Sequence, residues 1–293
     1  VTGCFAERQP DAVLQIPGVT NVISNKDKEN LLNIVYPEEE WPEFSIKRFE
    51  AHTRAFLKVQ DGCNSFCTYC IIPYVRGRSR SRKIEEIIDE IKGLLENGYK
   101  EIVLTGINIG DFEGSLATLV RKVDALEGLV RLRISSIDPD EVDDDLLDAV
   151  VNGVHTCPSM HIVLQAGSNP ILKRMNRKYT KQDFYQTVER LKAARPDFTF
   201  TTDIIVGFPG ETEQDFEETL AVVQEVEFAK VHMFPYSPRE RTKAALYPNR
   251  VSPEVVVERK SRLMRLAEHT SYKLRERYVG QEMSVLIEER NRG

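Results

Sequence analysis

The sequence has no uninterrupted apolar run approaching the ~18 residues that a membrane helix needs, so no spanning segment is expected. Nor does it open on a basic-then-apolar pattern: Val1-Thr2-Gly3-Cys4-Phe5-Ala6-Glu7-Arg8 carries no secretory signal. It also lacks surplus positive charge. With 40 Lys and Arg against 46 Asp and Glu the formal net charge is −6, which excludes a surface coated in basic groups for nonspecific nucleic-acid binding. Any RNA site must be local, and two basic stretches are dense enough to supply one, residues 76–83 and 173–178. Glycine (16) and proline (14) are sparse beside an apolar fraction of 41%, so disorder is not indicated and one large core can form. Cysteine is scarce and odd in number at 5. Three of these cysteines fall within eight residues, too close for a framework of long-range disulfides. Such clustering without a signal peptide points to a reducing compartment and a metal, and a cytoplasmic location is expected.

From about residue 55 short β-branched runs alternate with longer amphipathic stretches, the pattern of repeated βα units on a parallel sheet. Strands are expected over 55–60, 101–105, 130–135, 160–164, 199–206 and 229–234. Between them, helices are expected over 83–97, 116–126, 143–151, 181–194 and 213–226, with a long final helix over 253–278. Six units in about 220 residues fall short of the eight of a closed barrel, which predicts an open, crescent-like partial barrel of the TIM type in the α/β class. Its chemistry belongs at the carboxyl ends of the strands.

The flanks break this rhythm. Residues 1–36 read as the tail of another α/β unit: Cys4 in a turn, a strand near Thr20-Ile23, and a short helix over 27–34. Residues 37–50 are acidic, bracketed by prolines and aperiodic, hence a linker ahead of a core over 51–278. Residues 279–293 begin a strand with no partner in the chain. A start on Val and an end just past a strand suggest a piece of a longer protein.

The string Gly62-Cys63-Asn64-Ser65-Phe66-Cys67-Thr68-Tyr69-Cys70 has the spacing Cys-x3-Cys-x2-Cys directly after the first strand. Three thiolates on one loop can hold three irons of a 4Fe-4S cubane and leave the fourth iron open, the usual mark of a catalytic site. The bland alternative is zinc with His52 or a distant residue as fourth ligand, although zinc motifs normally come as paired Cys-x2-Cys units. A plain electron carrier would want a fourth nearby Cys.

Cys63-x3-Cys67-x-Tyr69-Cys70 after the first of six βα strands resembles the signature of the radical S-adenosylmethionine (SAM) superfamily. The longer string through Ile71-Ile72-Pro73-Tyr74-x-Arg76-Gly77-x-x-Arg80-Ser81-Arg82 is similar to the methylthiotransferases of that superfamily. Three further stretches resemble the same family: 164–180, 203–212 and 234–239, with Ala166 where relatives usually carry Ser and Glu240-Arg241 where a Gly is common. The resemblance implies a 4Fe-4S cluster on Cys63, Cys67 and Cys70. It also implies SAM on the open iron, and a 5′-deoxyadenosyl radical once an electron donor such as flavodoxin or ferredoxin has reduced the site.

Around SAM the expected contacts are Tyr69, Gly106, Ser135, Gln165, Arg177, Gly207 and Gly210, and around a tRNA anticodon arm Asn108, Arg76 and Arg80. Each has a plainer reading. Gly207 and Gly210 suit an ordinary βα turn, with Glu211 favoured by the next helix dipole. Ser135, Ser136 and Gln165 suit loop satisfaction, and Arg174 and Arg177 suit a helix surface. Arg133 is harder to dismiss, because a strand-borne Arg in a parallel sheet needs a partner anion. Cys157 reads as an inert buried hydrophobe. Cys4, within Val1-Thr2-Gly3-Cys4-Phe5-Ala6, looks like the last cysteine motif of the family's amino-terminal domain, whose three cysteines hold an auxiliary 4Fe-4S cluster. The end from Gly280 resembles the start of TRAM, the family's RNA-binding β-barrel.

Three branches fit this pattern: enzymes of threonylcarbamoyl-adenosine, of isopentenyl-adenosine, and of a ribosomal-protein aspartate. The stretch Leu104-Thr105-Gly106-Ile107-Asn108-Ile109-Gly110-Asp111-Phe112 looks like the first, since the second usually carries Gly-Gln-Asn-Val there. The competing class is an iron-sulfur RNA-binding or sensing protein without catalysis, against which the intact cysteine triad speaks.

Overall fold

Alternation of apolar residues with period two and with period 3.6 produces a repeating strand-and-helix architecture in the computed structural model, which describes residues 1–41 and 53–288. Among these the strands are β1 (Ala55–Lys58), β2 (Gln60–Asp61), β3 (Arg80–Ser81), β4 (Glu101–Thr105), β5 (Arg131–Ile134), β6 (Ser159–His161), β7 (Thr199–Val206) and β8 (Lys230–Pro235). The helices of the amino-terminal half are α1 (Cys4–Arg8), α2 (Pro10–Leu14), α3 (Leu31–Val35), α4 (Ile72–Val75), α5 (Ile84–Glu96) and α6 (Leu116–Asp124). Those of the second half are α7 (Asp144–Asn152), α8 (Asn169–Arg174), α9 (Lys181–Ala194), α10 (Glu213–Val226) and α11 (Pro253–Glu276).

β1, β4 and β5 pair in parallel, as do β6, β7 and β8. Isolated parallel bridges at Leu132↔Thr156 and Ile137↔Ile162 carry the order across from one sheet to the other. The result is a crescent of six parallel strands, and among the described residues no ladder joins β8 back to β1. The open partial barrel expected from the six βα units is the fold found.

β7 shows why the layers form. Phe200, Thr202, Ile204 and Val206 are buried on one face, while Thr201, Asp203 and Ile205 alternate with them on the other. Since successive side chains of a strand point to opposite faces, the first set meets the helices and the second lines the concave side. α5 answers with fully buried Ile87 and Ile91 and α10 with Phe216, each such side chain contributing roughly 1.5–3 kcal/mol on burial. α9 and α10 begin where sequence places them because Thr180 with Asp183, and Thr212 with Asp215, form capping boxes that satisfy otherwise unpaired backbone N–H groups.

The flanks differ from expectation. Cys4 opens α1 and does not sit in a turn. Residues 20–23 form no ladder; they make two backbone bonds to the chain start, Val1 N to Asn21 O at 2.7 Å and Ile23 N to Val1 O at 2.9 Å. A strand needs a neighbour, and the described residues place none beside this one. The helix expected over 27–34 is a 3-10 turn, Lys28–Asn30, followed by α3. Residues 280–288 likewise form no ladder; Ser284 Oγ accepts from Arg131 Nη2 at 2.8 Å and Glu288 pairs with Arg54. His52 and most of the expected linker lie outside the described residues.

Candidate active site

The cysteine loop is an excursion between β2 and β3, whose antiparallel pairs Gln60↔Ser81 and Asp61↔Arg80 tie its base. Gly62 enters it at φ +75°, and a Cβ there would stand 2.1 Å from Arg78 O, so the position tolerates only glycine. Deeper in, backbone bonds clamp the loop from distant segments. Thr68 N donates to Met175 O at 2.9 Å, Ala244 N donates to Thr68 O at 2.9 Å, and Asn176 Nδ2 reaches Phe66 O at 3.1 Å.

Gln60, 1% exposed, organises the rim. Its Nε2 donates to Gly62 O and to Ser79 Oγ, both at 2.8 Å. Its Oε1 accepts from Ile107 N at 2.9 Å and Asn108 N at 3.1 Å. One side chain thus joins the cysteine loop, the basic stretch and the loop after β4. Sequence reasoning missed it, because a Gln at a strand end carries no local signal.

Cys67 is buried, and Cys63 and Cys70 are half-buried. Burial pushes the Cys63 thiol up, and burial together with the neighbouring cysteines pushes Cys70 up to about 11. Both are therefore thiols at neutral pH until iron displaces their protons. Arg177 Nη1 donates to Cys67 Sγ at 3.0 Å, and the same guanidinium pairs with Asp138 and lies 4.7 Å from the Tyr179 ring centre. A cavity of about 220 Å³ opens beside Cys67 and Cys70, with Phe66, Tyr74, Asn176 and Lys243 in its wall.

Among the described residues no three His, Cys, Asp or Glu side chains form a group that could hold a metal ion. A single ion needs its ligands to converge on one point, whereas a cubane takes one thiolate on each of three separate irons. Buried polar atoms without a partner collect here too: Ser65 Oγ, Gln165 Oε1, Arg177 Nε and Tyr236 Oη. Buried polar groups normally find partners, so these orphans, three soft donors and an adjoining cavity fit a polar ligand beside an iron-sulfur cluster.

The other expected site residues fall into three groups. Gln165, with φ +62°, and Tyr69, edge-on to Phe208 at 6.3 Å, come to the strand ends beside the loop. Burial pushes the Tyr69 phenol well up, so it stays protonated. Ser135 Oγ accepts from Gly106 N at 3.3 Å, which binds those two to each other at the same rim. At Gly207 and Gly210, both at positive φ, the space a side chain would fill is taken by Val256 and Arg174 respectively. Glu211 caps that turn, accepting from Gly207 N at 2.6 Å and anchored by Arg259 of α11. The plainer reading of these glycines, a packed βα turn, therefore has direct geometric support.

The expected substrate residues are held differently. Asn108 is buried, and its Nδ2 donates to Glu141 Oε1 at 2.8 Å. Arg76 is held between Cys4 Sγ at 3.4 Å and Asp61 Oδ1 at 3.1 Å, whereas Arg80 is exposed. Arg133 has its anion: Glu101, on the neighbouring strand, at 2.9 Å. Cys157 is buried away from the loop.

Glu141 was also missed, although Asp138-Pro139-Asp140-Glu141 spells a capping box that could have revealed it. Burial, and then Asp138, pushes its carboxyl up to about 7. That lies above the ordinary carboxyl value of 4.5, so the native state holds an extra proton in between and stability falls as pH rises from about 4.5 to about 7. Glu141→Gln should flatten that part of the profile, measured by urea midpoints at intervals across the window. An unchanged slope would show that Glu141 ionises freely.

Comparison with known proteins matches residues 57–223 to the family model of the Radical SAM superfamily. The threonylcarbamoyladenosine tRNA methylthiotransferase MtaB of Chlamydia pneumoniae is 49% identical over 98% of this chain and 69% of its own length. The protein of that name from Bacillus subtilis (strain 168) is 39% identical over 99% and 69%. The tRNA-2-methylthio-N(6)-dimethylallyladenosine synthase of Caldicellulosiruptor saccharolyticus is 47% identical over 80% and 51%. Among solved structures, the radical SAM enzyme coproporphyrinogen III oxidase of Escherichia coli superposes with a TM-score of 0.55 at 15% identity, covering 75% of this chain and 53% of that one.

Proposed function

Because the chain belongs to the radical SAM methylthiotransferases, we propose that it adds a methylthio group to C2 of threonylcarbamoyl-adenosine beside the tRNA anticodon. The observation that carries the local chemistry is the clamped loop, which presents three cysteines at the strand ends with Arg177 on the sulfur of Cys67. Cys63, Cys67 and Cys70 hold the 4Fe-4S cluster in this reading. When bound, the cluster and SAM supply a 5′-deoxyadenosyl radical that removes a hydrogen atom from the substrate.

The chain's own residues bind and orient. Gln165 and Tyr69 line the SAM side, and Arg177, 6% exposed, places a fixed positive charge where ligand carboxylate and thiolates meet. Arg80 and Arg78, both exposed, meet anticodon-arm phosphates, while the base is read inside the crescent. Cys4 serves as one ligand of an auxiliary cluster in this reading. A flavodoxin or ferredoxin supplies the electron. Among the described residues no helix is long and apolar enough to cross a membrane.

The dimethylallyl-adenosine relatives supply the second reading, at 47% identity over a shorter stretch. Nucleoside mass spectrometry separates the two, on tRNA from cells lacking both native activities and complemented with the full-length protein. The 2-methylthio form of threonylcarbamoyl-adenosine is expected. Recovery of only the isopentenyl product would sink the branch and spare the family.

A further inference from the structure

The concave face of β4 and β5 carries a charge set that the cysteine loop does not use. Glu101, 1% exposed, faces three guanidiniums: Arg133 at 2.9 Å, Arg54 at 3.3 Å and Arg131 at 4.0 Å. Arg54 also reaches Glu288, and Arg131 donates to Ser284 Oγ. Arg133 has no partner beyond Glu101 among the described residues, and its side chain remains 35% exposed. Three guanidiniums share two carboxylates, Glu101 and Glu288, and Arg133 engages Glu101 through Nε alone, which leaves both of its Nη groups without a hydrogen bond among the described residues. A guanidinium so placed suits a planar carboxylate, which accepts two parallel N–H bonds.

Its position suits one as well. Arg133 precedes Ser135 by two residues, so both lie on one strand face about 6.6 Å apart. Ser135 stands at the rim, where its Oγ accepts from Gly106 N. A threonylcarbamoyl arm carries its carboxylate roughly 5 Å from N6 of the base. Were C2 turned toward the cysteine loop and N6 away from it, that arm would run down the strand face toward Arg133. Asn108, which the loop sequence offered for contact with the substituent, is already engaged by Glu141.

We propose that Arg133 binds the carboxylate of the threonylcarbamoyl group and thereby selects the substrate, a role that rests on the substrate reading given above. An isopentenyl arm brings no acceptor and would leave the guanidinium desolvated against hydrocarbon, which costs affinity.

The test uses the full-length, cluster-loaded protein and anticodon stem-loops that carry threonylcarbamoyl-adenosine, its carboxyl methyl ester, or isopentenyl-adenosine. Wild type should prefer the acid over the ester by at least roughly tenfold in kcat/KM, mainly through KM. Arg133→Gln should remove that preference, and Arg133→Lys should keep part of it. Equal use of acid and ester by wild type, or an undiminished preference in Arg133→Gln, overturns the assignment. The wild-type comparison needs no variant, and in Arg133→Gln the Glu101 carboxylate keeps Arg54 and Arg131. Conversion of the isopentenyl stem-loop alone would instead overturn the substrate reading, and this role with it.

Discussion

Cys67→Ala is expected to abolish 5′-deoxyadenosine formation from SAM and the visible thiolate-to-iron absorption of the reconstituted protein. Cys67 is the buried member of the triad and the one that receives Arg177, so its loss removes both a ligand and the hydrogen bond that orients it. Two remaining thiolates would leave half the irons of a cubane without protein ligands. Cys157→Ala is the matched control, a buried cysteine outside the loop, and should keep both signals. Anaerobic reduction with dithionite followed by chromatographic assay of 5′-deoxyadenosine gives the comparison. Turnover by Cys67→Ala at a rate near wild type would remove the triad from the mechanism.

Gln60→Leu should be nearly as damaging while leaving every cysteine in place. Leucine has a similar volume but would strand Gly62 O, Ile107 N and Asn108 N without the partners that Gln60 supplies. Buried groups left unsatisfied cost about 1–3 kcal/mol each, so a total of about 4 kcal/mol is expected against a typical stability of about 5–15 kcal/mol. Because the same bonds fix the loop entrance beside Cys63, iron and sulfide per chain should fall together with Tm. Gln60→Glu asks a narrower question: it keeps the shape and the acceptor but loses the donors to Gly62 O and Ser79 Oγ. Unchanged iron content and Tm in Gln60→Leu would show that the loop is set by its other clamps.

Long periodic segments were legible in the sequence, and short or reciprocal ones were not. α9, α10 and β7 occupy the residues expected of them, because capping boxes and strict alternation mark their ends locally. The β2–β3 ladder, α4 and α8 span two to six residues, too few for either period to show. Within the site, the spacing of Cys63, Cys67 and Cys70 was visible, but the bond from Arg177 to Cys67 joins residues 110 positions apart. The need of Arg133 for an anion could be read from its place in a strand, whereas the identity of Glu101 waited on the register of β4 with β5. Asn108 is a like case: it lies in the loop after β4, and its partner Glu141 stands 33 residues later, where no local pattern announces the bond.

The double clamp on Thr68 bears on the order in which the protein is made. Its two backbone partners, at Met175 and Ala244, emerge from the ribosome long after the cysteines do. At ordinary elongation rates of about 5–20 residues per second, the three thiols spend on the order of ten seconds outside the ribosome before the last partner follows. Throughout that interval the loop lacks the bonds that space its sulfurs, so metal arriving early meets thiols free to bind it in other arrangements. Productive iron-sulfur delivery therefore belongs after Ala244 has emerged, with the β8-to-α11 connection serving as the piece that closes the binding loop.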